Sequence, residues 1–493
     1  MFDADWAAAQ AAAEEELERW DEQGPGAVVL GIERGRLQLL AARGRAECGG
    51  AALDGTSVFR WASVTKHVLA ACLLESGVLP LEMPLGAALP ELAPAPAAVT
   101  VAQALAMQGG LPDTRESLTL LGFHALDRTD AAALLAWSAG IDRLNAEPGT
   151  EVAYSNGGYR LLEAALARRG VVFAEWVAAR AGRLGLGMHA SEHWSDPVPG
   201  LVPGHVVGQT GWSHGAQGMH LSAAGSLSGS AEDLALWLAD LMPRPEFARM
   251  SRPLPLASGQ ATSYGLGLRL LQIGGEMVAG HGGAQPGYRA GFLCAPGEAR
   301  ALVVLSNRDD GDATGIAARV WARMRSTRLR RDAVGTWAPP GLYAAPGGDL
   351  WAEVKPGAIS VRDAEEALFA ASDGWVESAA PQSMMRLRCT DGAIVGEMFH
   401  KPVRLLPVSA GNGEAEAPEL DGHWIGDGAL LGIRGTRLRW GAGPRATDVA
   451  LTPLGNGRWL FPAMGRRICL TRLAPDRVRL SLARSRVVEY RRL

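Results

Sequence analysis

The alternation of apolar and polar positions divides the chain into two textures. GAVVLGIERGRLQLLAARG (26–44) holds two short apolar runs on either side of Arg34-Gly35, the pattern of a β-hairpin. SVTKHVLAACLLESG then places Val64, Val68, Cys72 and Leu74 at helical spacing and stops at Gly77. GYRLLEAALARRG and AEDLALWLADLM repeat the helical period. YRAGFLCAPGEARALVVLSNRDD predicts a second hairpin turning at Pro296-Gly297, and ATGIAARVWARMRSTRLRR predicts a closing helix. Strands at both ends with helices between them predict an antiparallel sheet flanked by helices over residues 1–332.

Beyond residue 332 helical periodicity fades, and short strands alternate with Gly, Pro and Asp turns. GLYAAPGGDLWAEV from Gly341 resembles GHWIGDGALLGIR from Gly422, and the DGW ending at Trp375 has a counterpart in NGRW ending at Trp459. A repeat of roughly 80 residues is longer than a solenoid unit, so two small antiparallel β-barrels are expected, at 333–412 and 413–493. The polar stretch SAGNGEAEAPELDG (409–422) is the expected linker between them.

Composition narrows the function classes. The chain has 493 residues, nearly half of them apolar, with a net charge of −4. That predicts a globular chain of two or three domains and argues against electrostatic binding to nucleic acid or an anionic membrane. The five cysteines are scattered without a C-x-x-C pair, so neither a disulfide framework nor a zinc knuckle is expected. The acidic N-terminus reads as an amphipathic helix offering Trp6, Leu17 and Trp20 for burial, not as a signal peptide. With no apolar run long enough to span a bilayer, a cytoplasmic location is the expectation.

Against this background Lys66 stands out. The chain carries 48 basic residues and only three are lysines: Lys66, Lys355 and Lys401. In WASVTKHV, Ser63 and Lys66 are three positions apart at a helix start, so their side chains share one face. A serine hydroxyl becomes a nucleophile when a neighbouring base takes its proton. Burial and the positive end of a helix lower a lysine's pKa towards that task, whereas arginine stays charged. The YSN of EPGTEVAYSNGGYRLLEAAL adds Tyr154 as a phenolate or hydrogen-bonded base beside Lys66. It also adds Asn156 as a carboxamide able to hold a substrate amide. In GHGGAQPGYRAGFL, His281, Gly282 and Gly283 enter a strand where glycine permits close approach of a ligand. Ten histidines and 62 glycines produce one H-x-G by chance in roughly every such chain, so this motif gains its weight from order.

S-x-x-K, Y-x-N and H-x-G in that order resemble the penicillin-recognising serine hydrolases: class C β-lactamases, DD-peptidases, related esterases and D-aminopeptidases. VTVAQALAMQGGLPD, LSAAGSLSGSAEDLALWL and the hairpin after His281 are similar to family segments in family order. Histidine in the third motif, two C-terminal β domains and the closing LARSRVVEYRRL narrow the resemblance to the D-aminopeptidases. The resemblance implies an α/β (α+β) catalytic domain followed by two barrels. It implies acyl transfer through Ser63, with Lys66 and Tyr154 moving the proton and His281 bridging them to the substrate or polarising the site. The backbone N–H groups of Ser63 and Ala284 would form the oxyanion hole, with Gly283 and Asn156 in the substrate cleft.

The substrate class so implied is an N-terminal D-residue in short peptides, amides or esters, with no metal or organic cofactor. An esterase or DD-peptidase-like hydrolase with weak β-lactam turnover is the alternative. A non-catalytic ligand-binding protein on the same scaffold is the reading from another class. A homodimer is left open. One departure bears on specificity. The family's long loop over the active site corresponds here to a shorter hairpin, LFPAMGRRICLTR (460–472), which implies a more open pocket.

Three motifs compete. GWSHG (211–215) fits a nucleophile elbow at Ser213 but lacks the strand and helix that flank one. HASEH (189–193) fits a zinc motif, yet its surroundings predict a loop rather than the helix that would align both histidines. RMRSTRLRRD (323–332) is basic but ends an amphipathic helix, so it reads as a solvated face.

Overall fold

The structure is a computed structural model, and it describes residues 4–493 except 328, 330–333, 381–382, 409–417 and 442. The expected domain boundaries at 332/333 and 412/413, and most of the expected linker, lie outside the described residues.

The central element is a six-stranded antiparallel sheet. Its strands are β1 (Ala27–Glu33), β2 (Arg36–Arg43), β5 (Arg269–Ile273), β6 (Glu276–Gln285), β7 (Tyr288–Ala295) and β8 (Arg300–Ser306). They lie in the order β2-β1-β8-β7-β6-β5. Between β2 and β5 in the chain comes a separate hairpin of β3 (His205–Gly208) and β4 (Gly211–His214). Period-2 alternation explains why β1 is almost continuously apolar: both faces of the sheet are covered. Val28, Leu30 and Ile32 enter the core shared with the central helices. Ala27 and Val29 face the opposite layer, formed by α1 (Trp6–Glu18) and α6 (Ala313–Met324). In that layer Leu17 is buried as expected, while Trp6 and Trp20 are only partly covered.

The core on the other face takes in α2 (Thr65–Ser76), α4 (Asn156–Arg168) and α5 (Ala231–Leu241), and α3 (Thr114–Leu120) lies against α4. Helix α2 is buried on all sides from Thr65 to Leu74, so it is a central helix rather than an amphipathic one. Gly77 ends it in the left-handed conformation, φ 63°.

Both C-terminal units are antiparallel barrels. The first closes on itself between Gly341–Ala344 and Lys401–Pro407, with Tyr343 opposite Pro407. The second is a nine-stranded, nearly closed sheet in which Gly422–Gly426 pairs with the C-terminal Val488–Arg492. Gly341 and Gly422, the starts of the two repeated segments, open the first strand of each. Each barrel has its own core, but that of the second extends into the catalytic domain through Leu120 and Leu121 of the α3 region. Tyr490 and Trp440 donate hydrogen bonds to the Leu120 carbonyl at 2.8 and 3.4 Å. Helix α3 is therefore clamped by a barrel about 320 residues further along the chain.

Candidate active site

Ser63 lies in a 3-10 turn (Ala62–Val64) that runs directly into α2. Lys66 follows one turn later and is fully buried. Its ammonium has three N–H groups, and all three have partners: Ser63 Oγ at 3.2 Å, Asn156 Oδ1 at 2.7 Å and the Ala224 carbonyl at 2.7 Å. The Tyr154 hydroxyl donates to Ser63 Oγ at 2.6 Å. The chain thus brings Ser63, Lys66, Tyr154 and Asn156 into one hydrogen-bonded cluster from segments ninety residues apart.

Electrostatics prepare this cluster for proton transfer. Burial pulls the Lys66 pKa below its ordinary 10.5 and the Arg484 charge pulls the same way, while Tyr154 and Asp113 offset part of the effect. For Tyr154, burial acts to raise the pKa. The neighbouring Lys66 charge, the polar contacts with Lys66 and Ser63, and Arg484 outweigh it, so the phenol lies below its usual 10.0. Both groups are displaced towards the neutral range where a general base works best.

Asn156 is held from both ends of its carboxamide. Its Oδ1 accepts from Lys66, and both its Nδ2 and its backbone N–H donate to Asp113 Oδ2, at 2.7 and 2.8 Å. Asp113 in turn caps α3, accepting from the Glu116 N–H at 3.0 Å. This aspartate was missed from sequence, although it ends the family-like segment VTVAQALAMQGGLPD and opens a D-x-x-E cap pattern.

The strand β6 runs past the serine. Beyond Gly280 it has no partner on the β5 side, because β5 begins opposite that residue at Arg269. The hairpin to β7 turns at Pro286-Gly287, with Gln285 opposite Tyr288 and Gly283 opposite Ala290. Taking Gln285 and Tyr288 as the hydrogen-bonded closing pair, alternation turns the Ala284 N–H away from β7 to the free edge. Gly283 is required there: a Cβ would sit 2.3 Å from the Trp61 carbonyl oxygen and 3.1 Å from the Ser63 nitrogen. The close approach of these two backbones is what sets Ala284 beside Ser63.

His281 departs from the expected bridging role. Its Nε2 meets the Tyr264 hydroxyl at 2.9 Å and its Nδ1 the Gly282 carbonyl at 2.6 Å. Its ring centre lies 6.3 Å from that of Tyr154, and neither nitrogen bonds Lys66, Tyr154 or Ser63. Burial, with Arg269 and Lys66 nearby, holds its pKa well below 6.5. A neutral imidazole behind the site replaces the bridge that sequence order suggested.

Ser63, Tyr154, Asn156, Gly283 and Ala284 open into a cavity of about 1100 Å³. Its outer wall comes from the second barrel. The hairpin Arg458–Ala463/Arg466–Ala474 turns in two residues, Met464 and Gly465, both with positive φ. Although short, it still brings Met464 and Arg466 to the cavity. Arg484, between the last two strands, places its guanidinium 4.9 Å from the Tyr154 ring centre. Its carbonyl accepts from the Asp113 N–H, and its own N–H donates to Glu116 Oε2. Sequence gave no sign of Arg484 beyond the family-like closing segment.

The competing motifs fall elsewhere. Ser213 is exposed on β4, inside a hairpin with no following helix. His189 stands in a two-residue strand and His193 in the loop after it, edge-on to His220, so no helical face aligns them. Among the described residues no helix is long and apolar enough to cross a membrane.

Residues 8–324 match the family model described as Beta-lactamase. The chain is 27% identical over 265 residues to a D-aminopeptidase of Gluconobacter oxydans (strain 621H), a stretch covering 51% of this chain and 50% of that protein. It thus spans about half the length of the curated relatives it matches, or less. By fold it is similar to an octameric penicillin-binding protein homologue from Pyrococcus abyssi, with a TM-score of 0.59, 19% identity and coverage of 81% of this chain and 99% of the other. It is also similar to SurE, with a TM-score of 0.56, 21% identity and 99% of both chains covered. The family match takes in well over half of the chain and includes Ser63, Lys66, Tyr154 and His281, and the chain belongs to the beta-lactamase family.

Proposed function

We propose that this protein is a serine hydrolase that opens amide or ester bonds through an acyl-enzyme on Ser63, acting on short substrates built from D-residues. The observation that carries the reading is the 2.6 Å contact between Ser63 and Tyr154, with Lys66 donating to the same oxygen. In the first step the Ser63 oxygen attacks the carbonyl carbon and its proton passes to the Tyr154–Lys66 pair. The Ser63 and Ala284 N–H groups receive the negative charge that develops on the carbonyl oxygen. The pair then returns the proton to the departing amine or alcohol, and water, activated by the same pair, releases the acid. His281 acts at one remove, through the wall that carries Gly283. The D-preference rests on the D-aminopeptidase relatives.

A second reading, a DD-peptidase-like enzyme whose substrate bears a carboxylate, is favoured by the cavity's charge. Arg115, Arg269, Arg289 and Arg484 all line it, and among the described residues none has a carboxylate at ion-pairing distance. The cavity's acids are engaged: Asp113 by Asn156, Glu116 by Arg484 and Arg466, and Asp312 by Arg319. Unpaired guanidinium groups receive a carboxylate well and repel a free ammonium.

Hydrolysis of D-Ala-p-nitroanilide, its L form, a p-nitrophenyl ester and an N-acyl-D-Ala-D-Ala peptide separates these readings. Turnover of the D-anilide over the L form supports the aminopeptidase reading. Preference for the acylated peptide supports the second. Ester turnover with no D-preference on any pair contradicts both.

A further inference from the structure

Away from the Ser63 cavity, three side chains meet that the hydrolase chemistry does not use. His205 begins β3, His214 ends β4, and the two stand directly opposite in the hairpin register. Glu47 reaches them from the loop after β2. One oxygen, Glu47 Oε2, lies 3.3 Å from His214 Nε2 and 3.7 Å from His205 Nε2. One ligand atom from each residue falls within 4.8 Å of the other two.

The second observation concerns His205 itself. It is 2% exposed, and its buried Nε2 has no hydrogen-bond partner. Its Nδ1 lies 3.2 Å from the Asn307 carbonyl. The Asn307 amide nitrogen is also within 3.5 Å of that Nδ1, but its two N–H groups already donate to the Arg45 and Ala46 carbonyls at 3.0 and 3.1 Å. Nδ1 must therefore carry the proton and donate it to the carbonyl. In the neutral ring this leaves the lone pair on Nε2, the nitrogen that lies 3.7 Å from Glu47 Oε2. A backbone carbonyl behind one imidazole nitrogen is the arrangement that orients metal-binding histidines. Asn307 sets both sides of the cluster, since its side chain also holds the backbone leading to Glu47.

We propose that Glu47, His205 and His214 form a binding site for a divalent transition metal of the zinc type. Zinc–nitrogen and zinc–oxygen bonds of about 2.0–2.2 Å put tetrahedral ligands roughly 3.3–3.5 Å apart, close to the two distances found. The two imidazole nitrogens lie within 4.8 Å of each other, and the exposed His214 ring would have to turn to complete the set. Two imidazoles and one carboxylate suit zinc, whereas magnesium and calcium call for more oxygen. The ion would tie the hairpin to the loop after β2. That hairpin packs against the Pro286-Gly287 turn, which ends the strand carrying Ala284: a Cβ on Gly287 would meet the His205 nitrogen at 2.5 Å. The site would thus brace the scaffold of the catalytic cleft without touching its substrate.

The test uses the full chain, stripped with a chelator and titrated with zinc chloride by calorimetry, with unfolding temperature followed in parallel. One zinc ion per chain should bind saturably, and the unfolding temperature should rise with zinc. Magnesium and calcium should have no effect. Cobalt(II) should give the intense visible bands of a four-coordinate ion. His214→Ala and Glu47→Gln change exposed side chains and should keep the chelated protein's unfolding temperature. Each should weaken zinc binding by more than the ~10–100-fold that losing an outer partner costs. Absence of saturable zinc binding would overturn the proposal and leave a hydrogen-bonded trio. Equal zinc binding by wild type and both variants would place the ion elsewhere and overturn it as well.

Discussion

The two C-terminal barrels share an architecture and differ in what they do for the site. Among the described residues, none of those lining the cavity around Ser63 comes from the first barrel, and six come from the second: Trp440, Arg445, Thr447, Met464, Arg466 and Arg484. The first barrel meets the catalytic domain through polar pairs, such as Lys401 with the buried Glu151 and the exposed Gln260 with Glu397. The second shares a hydrophobic core with it and sends Arg484 to the face of Tyr154. A repeated fold has thus supplied one barrel that acts as scaffold and one that completes the active site.

Lys66 and Tyr154, the proposed proton-transfer pair, are the baseline against which both barrels are measured. Lys66→Arg keeps a positive charge but removes the ability to release a proton. It should lower kcat by about 10²–10⁴-fold, read by steady-state kinetics on a p-nitrophenyl ester. In the wild type kcat/KM should rise with pH to a plateau, because the pair must lose a proton to act. The midpoint should fall below 10, since both Lys66 and Tyr154 are lowered.

The next effect belongs to the second barrel. Arg484→Ala should lower kcat/KM for a carboxylate-bearing substrate by about 10–100-fold, the cost of a charge-assisted contact of ~1.5–3 kcal/mol. It should also move the acid limb of the pH profile upwards. Removing that positive charge makes Lys66 easier to protonate and the Tyr154 phenolate harder to form. A purely structural loss would lower activity without moving that limb.

The smallest effect on catalysis belongs to the first barrel. Leu387 is fully buried in its core, and Leu387→Ala should cost about 2–5 kcal/mol of stability in denaturant unfolding. The kcat/KM of the folded fraction should not change. A catalytic loss there comparable with that of Arg484→Ala would erase the distinction between the barrels.

Much of this was legible in the sequence because it rests on local pattern. The β1–β2 hairpin and helix α2 with its stop at Gly77 follow from residue type and spacing; the glycines after His281 were read as room for a ligand, whereas Gly283 admits the Trp61–Ser63 backbone. The pairing of Ser63 with Lys66 follows from helical geometry, and that of both with Tyr154 from motif order. What escaped were contacts set by tertiary packing. Asp113 positions Asn156 from the cap of another helix, and Arg484 arrives from a barrel some 330 residues beyond Tyr154. The bridging alternative for His281 failed for the same reason. Order along the chain brought it near the site, but Tyr264 and the Gly282 carbonyl take both its ring nitrogens. His214 lay hidden inside a motif read only for its serine, and His205 in the segment before it.

The central claim is that Ser63 is the residue acylated, and intact-mass measurement after incubation with a fluorophosphonate tests it most directly. The account predicts a single adduct on the wild type that maps to the peptide containing Ser63. The adduct should be absent from Ser63→Ala and retained in Ser213→Ala. An adduct that persists in Ser63→Ala, or that maps to Ser213, would contradict it.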